Sequence, residues 1–83
     1  MTHADKVRTY CKEQIIEPAR ARGQGTVSIR AGDIHSALGF KNRLPLVCSA
    51  LGTTAFERLA AVQRVGIEGP TNGANAVFTF RLA

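Results

Sequence analysis

Hydrophobic residues recur at helical spacing in the first quarter of the chain. One apolar stripe lies between about residues 4 and 22 and contains Val7, Tyr10, Cys11 and Ile15. This spacing predicts an amphipathic helix. Pro18 falls within the same segment, where it removes one helical hydrogen bond and crowds the carbonyl group four residues earlier. The sequence therefore predicts either a kink near residues 14–17 or an early end of the helix.

The pattern then changes from helical spacing to alternation. The segment "TVSIR" (26–30) alternates apolar and polar residues and is rich in β-branched side chains, which predicts a short strand. A helix follows, with Gly32 or Asp33 as its expected N-cap and Gly39 as its end. The apolar positions of this helix are Ile34, Ala37 and Leu38.

A second short helix is predicted over about residues 42–51, directly after the turn "FK". Its spacing turns four residues inward, namely Leu44, Val47, Cys48 and Leu51. The residues left on or near the outer face are Asn42, Arg43, Pro45, Leu46, Ser49 and Ala50. Pro45 is acceptable because the first amide groups of a helix have no helical partner, and Gly52 ends the helix.

The last third of the chain predicts one more helix and a hairpin. In "TTAFERLAAVQ", Thr54 and Glu57 have the spacing of a capping box. The apolar side of that helix is expected to contain Phe56, Leu59 and Ala60. The segments "QRVGIE" (63–68) and "AVFTFRL" (76–82) both alternate and are joined by "GPTNGAN". Val65 and Ile67 are expected on one face together with Phe78, Phe80 and Leu82.

The predicted order of elements resembles the winged helix-turn-helix domain over nearly the whole chain. The features that carry this resemblance are the short strand "TVSIR", the close helix pair "GDIHSALG" and "NRLPLVCSAL", and the terminal hairpin with its Gly/Asn-rich turn. The chain also resembles small prokaryotic proteins, including archaeal ones. The resemblance implies an α+β fold with a three- to four-helix core, a short strand and a C-terminal two-stranded wing. We expect residues 1–83 to form a single domain.

The net charge of the chain indicates what kind of partner it binds. The 83 residues contain 11 Lys and Arg against 6 Asp and Glu, which gives a formal net charge of +5 and an isoelectric point near 10.0. A basic balance of this size favours a polyanion, most often a nucleic acid, although a solvated basic surface has the same composition. RNA is less favoured than duplex DNA, because one Tyr and four Phe leave no stacking platform outside the core.

The resemblance implies that the helix at 42–51 enters the DNA major groove with its N-terminal residues against the base edges. Arg43 is then suited to a guanine edge, or is only a solvated charge in the first turn, and Lys41 is suited to phosphate. Asn42 is suited to capping the helix, which is the favoured interpretation, or to adenine. Leu46 is suited to a thymine methyl group, or is an ordinary exposed leucine or part of a protein contact. Ser49 completes this outer face.

The wing that the resemblance implies has an unusual tip. Thr71, Asn72, Gly73 and Asn75 offer hydrogen-bonding groups but no cation, which argues against deep insertion into the minor groove. Asn72–Gly73 also suits an ordinary turn. Arg64 and Arg81 are expected beside this tip and near phosphate. Arg20, Arg22 and Arg30 are close in sequence and form either a second phosphate-contacting patch or a solvated end.

The residues do not favour catalysis or a cofactor. No nucleotide-binding glycine pattern surrounds "GQG", and neither CxxC nor HxxxH occurs. A zinc site from Cys11, Cys48, His3 and His35 is disfavoured because structural sites usually pair ligands at close spacing. We expect both cysteines to be reduced core residues of a cytoplasmic protein. The absence of a long apolar stretch predicts no membrane span.

Two functions therefore remain. The favoured one is sequence-specific or structure-specific binding of double-stranded DNA, as a transcriptional regulator or other DNA-recognition component, and not as an enzyme. The alternative is a winged-helix protein–protein interaction module that binds no DNA, because a fold alone does not fix a function. A homodimer on a two-fold DNA site is compatible with the small DNA surface that one such domain buries.

Overall fold

The N-terminal helical region begins at a capping box that the sequence reading missed. In the computed structural model, which describes residues 2–70 and 73–82, helix α1 starts at His3 and Thr2 is its N-cap. The Asp5 N–H donates to Thr2 Oγ1 at 3.1 Å, and the Thr2 N–H donates to Asp5 Oδ2 at 3.3 Å. The bond from the Thr2 backbone is the main reason why the pKa of Asp5 lies below its usual value.

The disturbance predicted ahead of Pro18 is present, but it does not end the helix. Helix α1 (His3–Cys11) continues through a π-helical segment (Lys12–Ile16) into α2 (Glu17–Ala21). The Glu17 N–H donates to the Lys12 carbonyl, five residues earlier. A π turn contains one extra residue, so Ile16 rather than Ile15 is fully buried after Cys11. Ile15 is only partly buried.

Three strands form one antiparallel sheet, in which the predicted first strand adds to the predicted hairpin. The strands are β1 (Thr26–Arg30), β2 (Gln63–Glu68) and β3 (Val77–Arg81), in the order β1–β3–β2. The register aligns Ile29 with Phe78 and Val27 with Phe80. The central strand β3 therefore contributes two buried aromatic residues, and it joins the C-terminal part of the chain to residues 26–30.

The apolar face predicted for β2 is only partly correct. Ile67 aligns with Phe78, as expected, but a register shift between Arg64 and Gly66 takes Val65 out of the regular ladder. Val65 is 50% exposed and Ile67 51% exposed. The prediction was wrong for Val65, because a bulge redirects the side chains of the strand that carries it. Both residues are exposed because β2 is an edge strand.

Helix α3 (Ala31–Ala37) starts two residues earlier than a Gly32 cap would allow and three residues earlier than an Asp33 cap would allow. Its N-cap is Arg30, whose side chain makes no capping bond, so the predictions for Gly32 and Asp33 were wrong. Gly32 is buried because the hairpin crosses it: its N–H donates to the Ala74 carbonyl at 2.9 Å, and a Cβ there would lie 2.8 Å from the same oxygen. Ala37, predicted to be buried, is exposed. Gly39 follows the helix at φ +67°, as predicted.

Helix α4 (Leu44–Leu51) is shorter than predicted, since Arg43 and not Asn42 is its N-cap. The capping role considered for Asn42 was therefore wrong. Pro45 lies in the first turn and Gly52 ends the helix, both as predicted. Val47, Cys48 and Leu51 are buried, and Leu44 packs partly buried against the core. Ala50, assigned to the outer face, is also buried, because α4 packs against both α1 and α3.

Helix α5 (Thr54–Ala60) has Thr53 as its N-cap rather than the predicted capping box of Thr54 and Glu57. The Thr53 hydroxyl donates instead to the Ala50 carbonyl at 3.0 Å. Phe56 and Ala60 are buried, as predicted, but Leu59 is 46% exposed, which corrects its assignment to the apolar side.

One hydrophobic core lies between the helices and the sheet. Phe56 of α5 meets Phe80 of β3 edge to face, with ring centroids 5.1 Å apart. The largest fully buried side chains come from both layers and are Phe56, Phe80, Ile16, Ile29, Leu51, Val7, Val47 and Cys11. The fold class is thus α+β, with four helical regions and a three-stranded antiparallel sheet in the described residues. This arrangement is compatible with a winged-helix-like fold.

Candidate nucleic-acid interface

The turn before α4 and the hairpin turn lie toward the same end of the molecule. The Cys48 sulfur lies 3.9 Å from the Gly73 carbonyl oxygen, whereas Gly52, at the other end of α4, contacts Arg64. Residue 73 belongs to the hairpin turn, and residue 64 is near the start of β2, remote from that turn. The N-terminus of α4 therefore points toward the hairpin turn.

Lys41, Asn42 and Arg43 are exposed at this end. Their backbone is fixed on both sides: Gly39 and Asn42 have positive φ angles of 67° and 54°, and the Arg43 N–H donates to His35 Nε2 at 3.1 Å. Their side chains make no hydrogen bond or ion pair with any described residue. A turn that is bonded to His35 thus presents two cations and an amide to solvent.

The outer face of α4 is small and uncharged. Pro45 and Ser49 are exposed, whereas Leu46, proposed for a thymine methyl group, is partly buried and packs against the core. The helix sequence "LPLVCSAL" contains no charged residue. Positive charge at this end is therefore concentrated in the turn that precedes the helix.

Two residues predicted to contact DNA bind each other instead. Arg30 Nη2 donates to Asn75 Oδ1 at 2.8 Å, and Arg30 Nη1 donates to Asp33 Oδ1 at 2.8 Å. The guanidinium thereby ties the end of β1 and the start of α3 to the hairpin turn. Two other predicted tip residues, Thr71 and Asn72, lie outside the described residues.

The other arginines predicted to contact phosphate donate hydrogen bonds within the fold, Arg20 and Arg64 to backbone carbonyls and Arg81 to a side chain. Arg64 lies at the opposite end of the hairpin from its turn, where its Nη1 donates to the Gly52 carbonyl at the C-terminus of α4. Arg81 is also remote from the turn and donates to Gln63 Oε1 at 2.7 Å. Arg20 donates to the carbonyls of Ala60 and Ala61 at 3.0 and 2.9 Å. Cationic side chains at helix C-termini satisfy carbonyl groups that the helix leaves open.

Sequence reasoning missed the role of His35 in positioning this turn. His35 accepts the Arg43 N–H, so its Nε2 carries no proton in this arrangement. Its ring also meets Phe40 edge to face at 6.1 Å, and His3 meets the same Phe40 at 5.2 Å. A lone histidine on a short helix gives no sequence signal for such a contact, because the pairing depends on how α3 and α4 cross.

The two cysteines have separate positions in the core. Burial raises the pKa of Cys11 to about 12, which keeps it a neutral thiol at ordinary pH.

Among residues 2–70 and 73–82, no three His, Cys, Asp or Glu side chains form a group that could hold a metal ion. No helix in the same part of the chain is long and apolar enough to cross a membrane.

Comparison with known proteins adds no relative to this description. No family model matches the chain, and neither a curated protein nor a solved structure matches it.

Proposed function

We propose that this protein binds double-stranded DNA through the end that carries residues 41–43, the N-terminus of α4 and the hairpin turn. The observation that carries the proposal is the exposed turn with Lys41 and Arg43, which is bonded to His35 through its backbone and whose cationic side chains have no partner among the described residues. This turn precedes the second helix of a close helix pair, on a β1–β3–β2 sheet that ends in a hairpin. A transcriptional regulator or another DNA-recognition component would use such a surface.

The division between base and phosphate contacts follows from side-chain chemistry. Arg43, the N-cap of α4, has a planar fork of donors that suits the major-groove edge of guanine. Lys41 is a flexible point charge and suits phosphate. Within α4 only Pro45 and Ser49 are exposed, so base reading would be confined to the start of the helix.

The net charge of +5 and the N-terminus of α4 add electrostatic support. Amide groups at the start of a helix and the helix dipole both favour an anion such as a backbone phosphate. Arg30 and Asn75 hold the hairpin turn against the body by their mutual bond. In the proposed complex they position the wing, and they touch phosphate only through the donors that this bond leaves open.

A salt titration with random duplex DNA tests the proposal directly. With about four to six phosphate contacts, log K against log salt concentration should have a slope of roughly −4 to −5. Fluorescence anisotropy of a labelled duplex measures both affinity and slope. Absence of binding at low salt, or tight binding that does not change with salt, would contradict DNA binding by this basic surface.

Single variants separate the two proposed contact types. After selection of a preferred site from a random pool, Arg43→Ala should weaken specific binding by about 1–3 kcal/mol and random DNA by less. Lys41→Ala should weaken both DNAs equally and reduce the salt slope by about one unit. Arg22→Ala is the matched control, because it removes one exposed positive charge that precedes the start of β1, at the end remote from the hairpin turn. Equal losses on both DNAs for Arg43→Ala would reduce residue 43 to a phosphate contact.

The alternative is a protein-interaction module, and exposed apolar side chains favour it. Leu59, Val65 and Ile67 are 46%, 50% and 51% exposed, and the last two lie on an edge strand. Edge strands with exposed apolar residues are common sites of association. The DNA titration distinguishes the two functions, because an interaction module of this kind needs no salt-dependent affinity for duplex DNA.

A further inference from the structure

A groove of about 390 Å³ opens between α4 and the β2–β3 hairpin. Helix α4 and its C-cap contribute Cys48, Ser49 and Gly52, and the hairpin contributes Arg64, Ile67 and Phe78. The volume falls within the range of small-molecule sites in proteins. The groove lies beside residues 48–52, at the C-terminal end of α4, so it is separate from the exposed turn at residues 41–43.

Most side chains that line the groove are apolar, and its two polar side chains, Arg64 and Ser49, can both donate hydrogen bonds. Phe78 is 3% exposed and Cys48 6% exposed, whereas Ile67 is half exposed at the rim. The Ser49 hydroxyl makes no hydrogen bond with a described residue. Arg64 uses Nη1 for the Gly52 carbonyl, and no other atom of its guanidinium has a partner in the described part of the chain. A guanidinium has five N–H groups, so donors remain for a ligand.

One carboxylate contacts the Arg64 backbone, but it does not line the groove. Glu57 Oε1 accepts the backbone N–H of Arg64 at 3.4 Å, and Glu57 is absent from the groove lining. No acidic residue lines the groove. The arrangement therefore combines an apolar wall with one cation and one hydroxyl, which complements a ligand with an apolar body and a single anionic group.

From this combination we infer that the groove binds a small apolar carboxylate, with its apolar body against Ile67 and Phe78 and its carboxylate toward Arg64 and Ser49. This inference is independent of the proposed DNA binding, because it concerns the free protein. If both hold, the ligand would lie against the same helix that carries Arg43 at its N-cap.

The test is a titration of the isotope-labelled full chain with phenylacetate, followed by amide and methyl chemical shifts in the absence of DNA. We expect saturable shifts at Ser49, Gly52 and Ile67. Phenylacetamide, the neutral match, should bind at least about tenfold more weakly, because it loses the charge-assisted bonds. Acetate and inorganic phosphate should give no saturable shifts at these residues. Equal binding of phenylacetamide overturns the anion preference, and equal binding of acetate or phosphate overturns the apolar site.

Two variants on one strand provide matched controls. Ile67→Glu places a carboxylate at the rim and should abolish the phenylacetate shifts at Ser49 and Gly52. Val65→Glu adds the same charge to an equally exposed residue that does not line the groove, and it should change the affinity less than about twofold, as is usual for surface charges. Equal loss of binding in both variants would overturn the assignment to this groove.

Discussion

Some arginine side chains of this protein donate hydrogen bonds within the fold, and others are exposed without such a bond. Arg20 and Arg64 donate to carbonyl groups at helix ends, and Arg30 ties a strand end to the hairpin turn. Arg43, by contrast, is held only through its backbone, and its side chain is exposed. The formal charge counted from the sequence therefore does not show which guanidinium groups can bond to a partner, because several of them already donate to internal acceptors.

Cys11 should make stability depend on alkaline pH. Burial raises its pKa to about 12 in the folded protein, whereas an unfolded thiol ionises near pH 8.5. Above that pH the unfolded state binds fewer protons than the folded one, so the free energy of unfolding falls as pH rises, by at most about 1.4 kcal/mol per unit. Urea unfolding from pH 8 to pH 10.5 should show this extra decline in the wild type relative to Cys11→Ala. Identical pH slopes for the two proteins would contradict the assignment.

The π-helical segment decides, at the scale of elements, which isoleucine belongs to the core. Regular α-helical spacing from Val7 and Cys11 points to Ile15, and this residue was therefore predicted to belong to the apolar stripe. The wide turn at Lys12–Ile16 instead moves the buried position to Ile16. Pro18 gives the sequence a warning of irregular geometry, but it does not say whether the helix stops, kinks or widens.

A pair of adjacent substitutions tests this shift. Ile16→Ala should lower the free energy of unfolding by about 2–5 kcal/mol, since it removes a fully buried side chain. Ile15→Ala is the matched control, with the same chemical change at a partly buried position, and should cost clearly less. Urea denaturation followed by circular dichroism measures both values. A larger loss of unfolding free energy for Ile15→Ala than for Ile16→Ala would indicate regular α-helical spacing and would contradict the π-helical segment.

Helix α4 shows why an amphipathic pattern gives only part of a site. Its inward stripe was correctly predicted from spacing alone, apart from Leu44, which is only partly buried. Ala50 was assigned to the outer face, yet it is 1% exposed because a second helix covers it. The outer face is narrower than the pattern suggests, and the candidate contacts shift toward the turn before the helix.

The sheet connects distant parts of the chain at the scale of the whole molecule. Strand β3 is central and pairs residues 77–81 with residues 26–30 and 63–68. The helices bury their apolar sides against the same sheet, so one core contains residues from Val7 to Leu82. A single core that spans the chain favours cooperative, all-or-none unfolding.

This cooperativity can be measured with two probes that report on different parts of the fold. Tyr10 is the only tyrosine and the chain has no tryptophan, so intrinsic fluorescence reports on the N-terminal helix. Circular dichroism in the far ultraviolet reports on all helices and strands. The two urea transitions should have the same midpoint and slope. Separate midpoints would indicate that the first helix unfolds independently of the sheet.

Most elements were predictable from the sequence, because hydrophobic spacing and local residues such as Gly39, Pro45 and Gly52 act over a few positions. Strand β1, the helix pair, the last helix and the hairpin were all predictable in this way. Tertiary structure alone decided the pairing of β1 with β3, the burial of Ala50 and the exposure of Leu59 and Val65. It also decided which cations have internal partners, since the acceptors of Arg20, Arg30 and Arg64 lie 40, 45 and 12 residues away along the chain. Such contacts arise only when distant elements pack together, and no local pattern encodes them.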